Sequence, residues 1–123
     1  MLGGFSDPFS LQDFHLSGVR VIEVRGEIDL VTSKDLFRAF ATIADRNPEP
    51  ILIDFSKVEY IDAQGVHALE AFAVHLQPHQ RRVGLVASSY PVHRIFDLLG
   101  VGKTIRWFDT REAAVDFLTS SGP

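Results

Sequence analysis

The residues of this chain whose types and spacing could do chemistry lie at 60–67, Tyr-Ile-Asp-Ala-Gln-Gly-Val-His. Asp62 stands where an apolar pattern of helical spacing begins, so its carboxylate can accept hydrogen bonds from the orphan N–H groups of a first helical turn. Gly65, lacking a Cβ, lets another group approach the backbone closely. With Tyr60, Ala63, Gln64, Val66 and His67 these residues predict a tight loop and an exposed helix N-terminus, a place that suits an anion or a partner protein. An ordinary structural cap and a turn glycine would leave the same trace.

Other constellations lead to less. His15, Asp54, Ser56 and Asp62 contain the residue types of a nucleophilic triad, but nothing in their spacing supports one, and no G-x-S-x-G elbow is present. His75 and His79 stand at i, i+4, the spacing of a two-histidine metal pair, yet Pro78 lies between them and no carboxylate pattern completes a site. Gly100 to Thr104 reads GVGKT, but Asp97 occupies the position of the first phosphate-loop glycine, and the segment follows a helix and enters a strand. Arg81 and Arg82 read as a solvated turn rather than a basic patch. The absence of cysteine removes disulfides, thiolate metal sites and thiol nucleophiles. A net charge of −4 argues against a nucleic-acid binder, which needs a basic face for phosphates. No apolar run approaches the length of a membrane span, and the first residues lack the basic stretch of a signal peptide. The expected location is cytoplasmic, without direct membrane insertion and without a cofactor.

The elements that must position these residues can be read from periodicity. Residues 1–8 form a loose leader, 9–16 an edge strand, and Gly18 a turn. Residues 19–25 alternate as a half-buried strand that Gly26 breaks. Thr32 or Ser33 caps a helix to about Arg46, with Asp35 in a capping-box position and Leu36, Phe37, Phe40, Ile43 and Ala44 inward. Ile51, Leu52 and Ile53 form a buried strand, Ser56 and Lys57 a polar turn, and a helix follows with Val66, Leu69, Phe72, Ala73 and Leu76 on one stripe. Its other face, His67, Glu70, Ala71 and Val74, is either a docking patch or covered by the first helix. Residues 82–87 form a short strand, a helix runs from Pro91 to Leu99 and stops at Gly100, and 104–108 form a last strand. Thr110 caps a terminal helix with Ala113, Ala114, Phe117 and Leu118 inward. Strands separated by helices imply right-handed crossovers. The predicted fold is therefore α/β, one domain over 1–123, with a mixed, largely parallel sheet of four to five strands flanked by four helices and an antiparallel hairpin at its start.

The segment 51–69, ILIDFSKVEYIDAQGVHAL, resembles the signature of STAS domains, the anti-sigma-factor-antagonist family, whose usual pattern is a strand, then D-S-S-G, then a helix. GEIDL at 26–30 resembles the family's G-E-L-D, and LLGVGKTIRWFDTREAAVDFL at 98–118 resembles its C-terminal stretch. The resemblance covers about 14–118. It implies a non-enzymatic binding module that presents the loop at 60–67 to a kinase-type anti-sigma factor or a related signalling protein, and frees the sigma factor by competition. In partner-switching members the residue after the Asp is the serine that the kinase phosphorylates; here it is Ala63, followed by Gln64. A methyl group accepts no phosphate, so control would pass to abundance, to another residue such as Ser56, or to a ligand. The resemblance also puts Asp29 at the same sheet end as Asp62, where it either shares that surface or satisfies amides in its own turn. The alternative reading is a nucleotide- or small-ligand-sensing, or structural, STAS subunit of a signalling or transport complex. A homodimer is compatible with either.

Overall fold

The computed structural model describes residues 9–29 and 32–120. The expected leader at 1–8, and Leu30 of the GEIDL segment, lie outside the described residues. The chain runs through β1 (Phe9–Leu16), β2 (Val19–Ile28), α1 (Ser33–Arg46), β3 (Ile51–Ile61), α2 (Ala63–Leu76), β4 (Val83–Val86), α3 (Tyr90–Leu99), β5 (Arg106–Phe108) and α4 (Arg111–Thr119). The five strands lie in sequence order, β1 antiparallel to β2 and the others parallel. Ser17 and Gly18 join β1 to β2 with φ of 50° and 83°, the pair of positive values that a tight type I′ hairpin turn demands.

Sequential strand order has a consequence for the layers. Right-handed crossovers between neighbours in that order all place their helices on one face. Leu36 and Phe40 of α1, Leu69 and Phe72 of α2, and Val92 and Phe96 of α3 accordingly pack in one core with Ile22, Val24, Ile53 and Phe55 of the sheet. α4 takes the other face, where Ala114 and Leu118 meet Val19, Val21, Leu52 and Val86. β3, covered on both sides, opens for that reason on the uninterrupted apolar run Ile51, Leu52 and Ile53.

Several local expectations change. β3 does not stop for a turn at Ser56 and Lys57; its parallel ladder with β2 continues to Ile28 opposite Ile61. Gly26 does not break β2 but sits at a register shift with φ 101°, so it bulges the strand and lets it run on. Thr32 precedes α1 without capping it and forms no capping box with Asp35, because its hydroxyl turns back to Asp29. Ala113 faces solvent, while Ala114 and Leu118 are the fully inward pair of α4. Arg81 and Arg82 are not a solvated turn. The Arg81 guanidinium donates to the carbonyls of Ala44, Asn47 and Glu49, and that of Arg82 donates to Leu118 and Ser120 while lying 4.8 Å from the Phe117 ring. They clamp the C-terminal ends of α1 and α4, where unpaired carbonyls and the negative dipole end favour a cation. Other signals hold as read: Thr110 accepts from the Ala113 N–H at 3.2 Å, and Gly100 closes α3 with φ 68°.

Candidate functional site

The corner between β3 and α2 is built from two directions. The Asp62 backbone N–H donates to the Ile28 carbonyl at 3.1 Å, tying the corner to the end of β2. Its carboxylate then caps α2, Oδ1 accepting from the Gly65 N–H at 3.0 Å, while its carbonyl accepts from Val66 at 3.1 Å. Ala63 is the first residue of α2 and half-buried; Gln64 and His67 are exposed. Tyr60, opposite Glu27 in the ladder, is 49% exposed. Among the described residues the corner thus lies open to solvent.

Two residues of the segment work from beneath. Val66 is fully buried in the core. Gly65 is needed for the chain's own packing: a Cβ there would lie 2.6 Å from Ile61 Cγ1 and 2.8 Å from Ile28 Cγ2. The close approach that a glycine permits is therefore filled from inside by two isoleucines. The helix end also offers an anion less than a bare terminus does, since one N–H is bound and a carboxylate already sits there.

Asp29 lies at the same sheet end, one residue after the carbonyl that receives Asp62. Its Oδ1 accepts from the Thr32 N–H at 3.2 Å, and Thr32 Oγ1 accepts from the Asp29 N–H at 3.0 Å, a reciprocal turn that delivers the chain into α1. Ser56 is placed elsewhere. Its N–H donates to Asp54 at 2.8 Å, and it lines a hollow of about 370 Å³ beside Thr110 and Arg111 at the start of α4.

That hollow borders a cluster which periodicity could not reveal. Glu23 is 5% exposed and Asp54 1%, and Arg111 donates to both, Nε to Asp54 at 3.0 Å and Nη2 to Glu23 at 3.0 Å. Lys57, Arg25 and Gln12 also reach Glu23. Burial opposes ionisation of Glu23, but Lys57, Arg111, Gln12 and Arg25 together outweigh it and hold its carboxyl below the usual 4.5. The hydrogen bond to Asp54, against the cost of burial and aided by Glu23, raises Arg111 above its ordinary value. Every charge here has its counter-charge, as a structural fastening between sheet and α4 requires.

One wall of a feature beside the corner, with His67 and Ala71, belongs to the α2 face expected to be either a docking patch or covered; the other wall went unread. A trough of about 420 Å³ runs between α1 and α2, with Lys34, Phe37 and Arg38 on one wall and His67, Ala68 and Ala71 on the other. Lys34 and Arg38 at i, i+4 were the available signal, since that spacing aligns them on one helix face. α1 leaves His67 and Ala71 uncovered, and Val74 is 55% exposed. His75 meets Phe37 edge-on, with ring centroids 5.8 Å apart.

Residues 13–114 match the family described as the STAS domain. This chain belongs to that family. The anti-sigma-F factor antagonist RsfB of Mycobacterium tuberculosis is 33% identical over 99 residues, 80% of each chain. The crystal structure of an anti-sigma factor antagonist from Mycobacterium paratuberculosis superposes with a TM-score of 0.85 at 29% identity, covering 94% of this chain and all of that one. The Bacillus cell-fate determinant SpoIIAA, solved unphosphorylated and phosphorylated, shares the fold at 22% identity, with TM-scores of 0.68 and 0.62. It covers 89% of this chain and 94% and 97% of those two. This STAS domain is thus homologous to anti-sigma factor antagonists, and no helix among its described residues is long and apolar enough to cross a membrane.

Proposed function

We propose that this STAS domain is an anti-sigma factor antagonist that binds its anti-sigma factor through the corner at 60–67 and lacks the covalent off-switch of partner-switching relatives. The observation that carries the reading is the first turn of α2. Asp62 caps it, Ala63 stands immediately behind the cap, and Gln64 and His67 face outward beside Tyr60. A serine at the position of Ala63 would present its hydroxyl there, and a phosphate on it would bring about −1.5 to −2 charges next to Asp62. Alanine can accept none, so the domain stays competent to bind whenever it is folded. Sigma release then follows mass action: an anti-sigma factor held here cannot hold sigma, and the outcome depends on concentrations and affinities.

The test is titration of the purified domain against kinase-type anti-sigma factors of the same genome, with and without ATP. A stoichiometric complex that ATP does not dissolve is the expected result, and Ala63→Ser should make the complex ATP-sensitive under a matching kinase. Phosphorylation of the wild-type chain within 56–66 would overturn the missing switch. Undiminished binding by Ala63→Asp to a confirmed partner would remove the corner from the interface.

A further inference from the structure

We infer that the trough between α1 and α2 receives an acidic, amphipathic helix of the anti-sigma factor, extending the interface from the Ala63 corner along the helical face. The inference rests on the partner-binding reading above and adds to it the chemistry of the partner. Three observations converge on it.

The first is charge. The chain carries a net charge of −4, yet Lys34, Arg38 and His67 line the trough and no Asp or Glu does. Most of the domain's other cations are already engaged: Arg20, Arg25, Lys57 and Arg111 in ion pairs, Arg81 and Arg82 on helix-end carbonyls, Arg106 over the Phe108 and Phe117 rings. Among the described residues the side chains of Lys34 and Arg38 have no ion-pair or hydrogen-bond partner. They are cations on offer.

The second is shape. The α2 wall includes Ala68 and Ala71, about one helical turn apart, with Phe37 half-buried on the opposite wall. Small side chains let a helix backbone come close, and the aromatic wall offers an anchor to one apolar side chain of the incoming stripe. The lining runs along 33–38 of α1 and 64–71 of α2, about two turns of each, and the trough is open above, so it suits a short helical stretch.

The third is continuity. Gln64 lines the head of the trough and is the second residue of α2, so the trough begins at the corner itself. A partner that contacts Ala63 needs only to continue in the same direction to lie over Lys34 and Arg38.

Charge reversal tests this. Lys34→Glu with Arg38→Glu is measured by calorimetric titration against the purified kinase-type anti-sigma factor, at about 50 and 300 mM salt. Lys34→Gln with Arg38→Gln serves as a neutral control. An acid at 34 sits in the first turn of α1, where the helix dipole favours it, so folding should survive; thermal melting confirms it for each variant. The reversal is expected to weaken binding by about tenfold or more at low salt, the neutral pair by less, and high salt should narrow the gap. Wild-type affinity in the reversed variant, with Ala63→Asp impaired, would overturn the trough and leave the corner reading intact. Wild-type affinity in both would overturn the two together, whereas saturating occupancy of the trough by a nucleotide that leaves anti-sigma factor binding untouched would overturn the trough alone.

Discussion

At the corner before α2, Asp62 keeps its carboxylate half-exposed and commits one oxygen to one backbone amide. On the opposite face of the sheet Glu23 and Asp54 are almost fully buried, and share a single guanidinium with further cations close by. The contrast separates two uses of an acidic side chain. A buried carboxylate must be matched in place, and once matched it is unavailable to anything outside. A capping carboxylate needs only a local amide, which leaves its neighbours free for a visitor. Charge density therefore marks the fastening of α4, and the corner is marked among the described residues by the exposure of Tyr60, Gln64 and His67.

The sharpest way to break that contrast is Arg111→Ala. It strands Glu23 and Asp54 without their shared counter-charge, and should cost about 3–5 kcal/mol in denaturant unfolding. A companion variant, Glu23→Gln with Asp54→Asn and Arg111→Met, removes the charges together and should recover much of the loss. Acid should break the cluster from the carboxylate side. Glu23 titrates below its ordinary 4.5 in the folded protein, so the unfolded chain takes up the proton first as pH falls. Its contribution is complete above that value and disappears as pH drops through the lower, folded one. Glu23→Gln should flatten the acid limb of the stability–pH curve, and an unchanged limb would mean that the cluster does not couple to folding.

The next largest effect belongs beneath the corner. Gly65→Ala places a methyl within 2.6 Å of Ile61 and 2.8 Å of Ile28, both buried side chains of the central strands. Overpacking of this kind costs about 1–3 kcal/mol, against which alanine's better helix propensity returns up to about 1 kcal/mol. Net destabilisation measured by thermal melting is the expected sign, with Ile61→Val in the same background relieving it. A neutral or stabilising Gly65→Ala would show that the glycine is there for a partner's approach rather than for the isoleucines.

What sequence could and could not disclose follows the same division. The stripe Val66, Leu69, Phe72, Ala73 and Leu76, the caps Asp62 and Thr110, and the stop at Gly100 are local devices, and each sits where its spacing puts it. β3 was underestimated because Ser56 and Lys57 look like a turn; only the neighbouring β2 ladder keeps that stretch extended. Gly26 misled for the same reason, since a bulge and a break carry the same residue. The Glu23–Asp54–Arg111 cluster joins positions 88 and 57 residues apart, which no periodicity connects. Arg81 and Arg82 likewise find carbonyls that only the folded chain brings near. The open corner was readable as a strand, a cap and a helix start, but its depth was not. That Gly65 and Val66 are buried while Gln64 and His67 are exposed depends on Ile28 and Ile61 arriving from two strands.

The smallest expected effect on stability is the most informative about function. Ala63→Asp adds a carboxylate at the first position of α2, where the positive end of the helix dipole favours a negative charge by about 0.3–1 kcal/mol. Repulsion from Asp62 next door trims that gain without reversing it, since both side chains are half-exposed and screened. The folded domain should therefore melt at the same temperature or slightly higher. Binding to the anti-sigma factor should fall, because the same charge imitates part of what a phosphate would bring. Ala63→Asn, equal in size and uncharged, separates bulk from charge: it should retain most of the affinity that Ala63→Asp loses. Measured by melting and by titration on the same samples, a variant that gains stability while losing its partner places Ala63 on the interface. One that loses both in proportion would instead make the corner part of the scaffold, no different in kind from the Arg111 cluster.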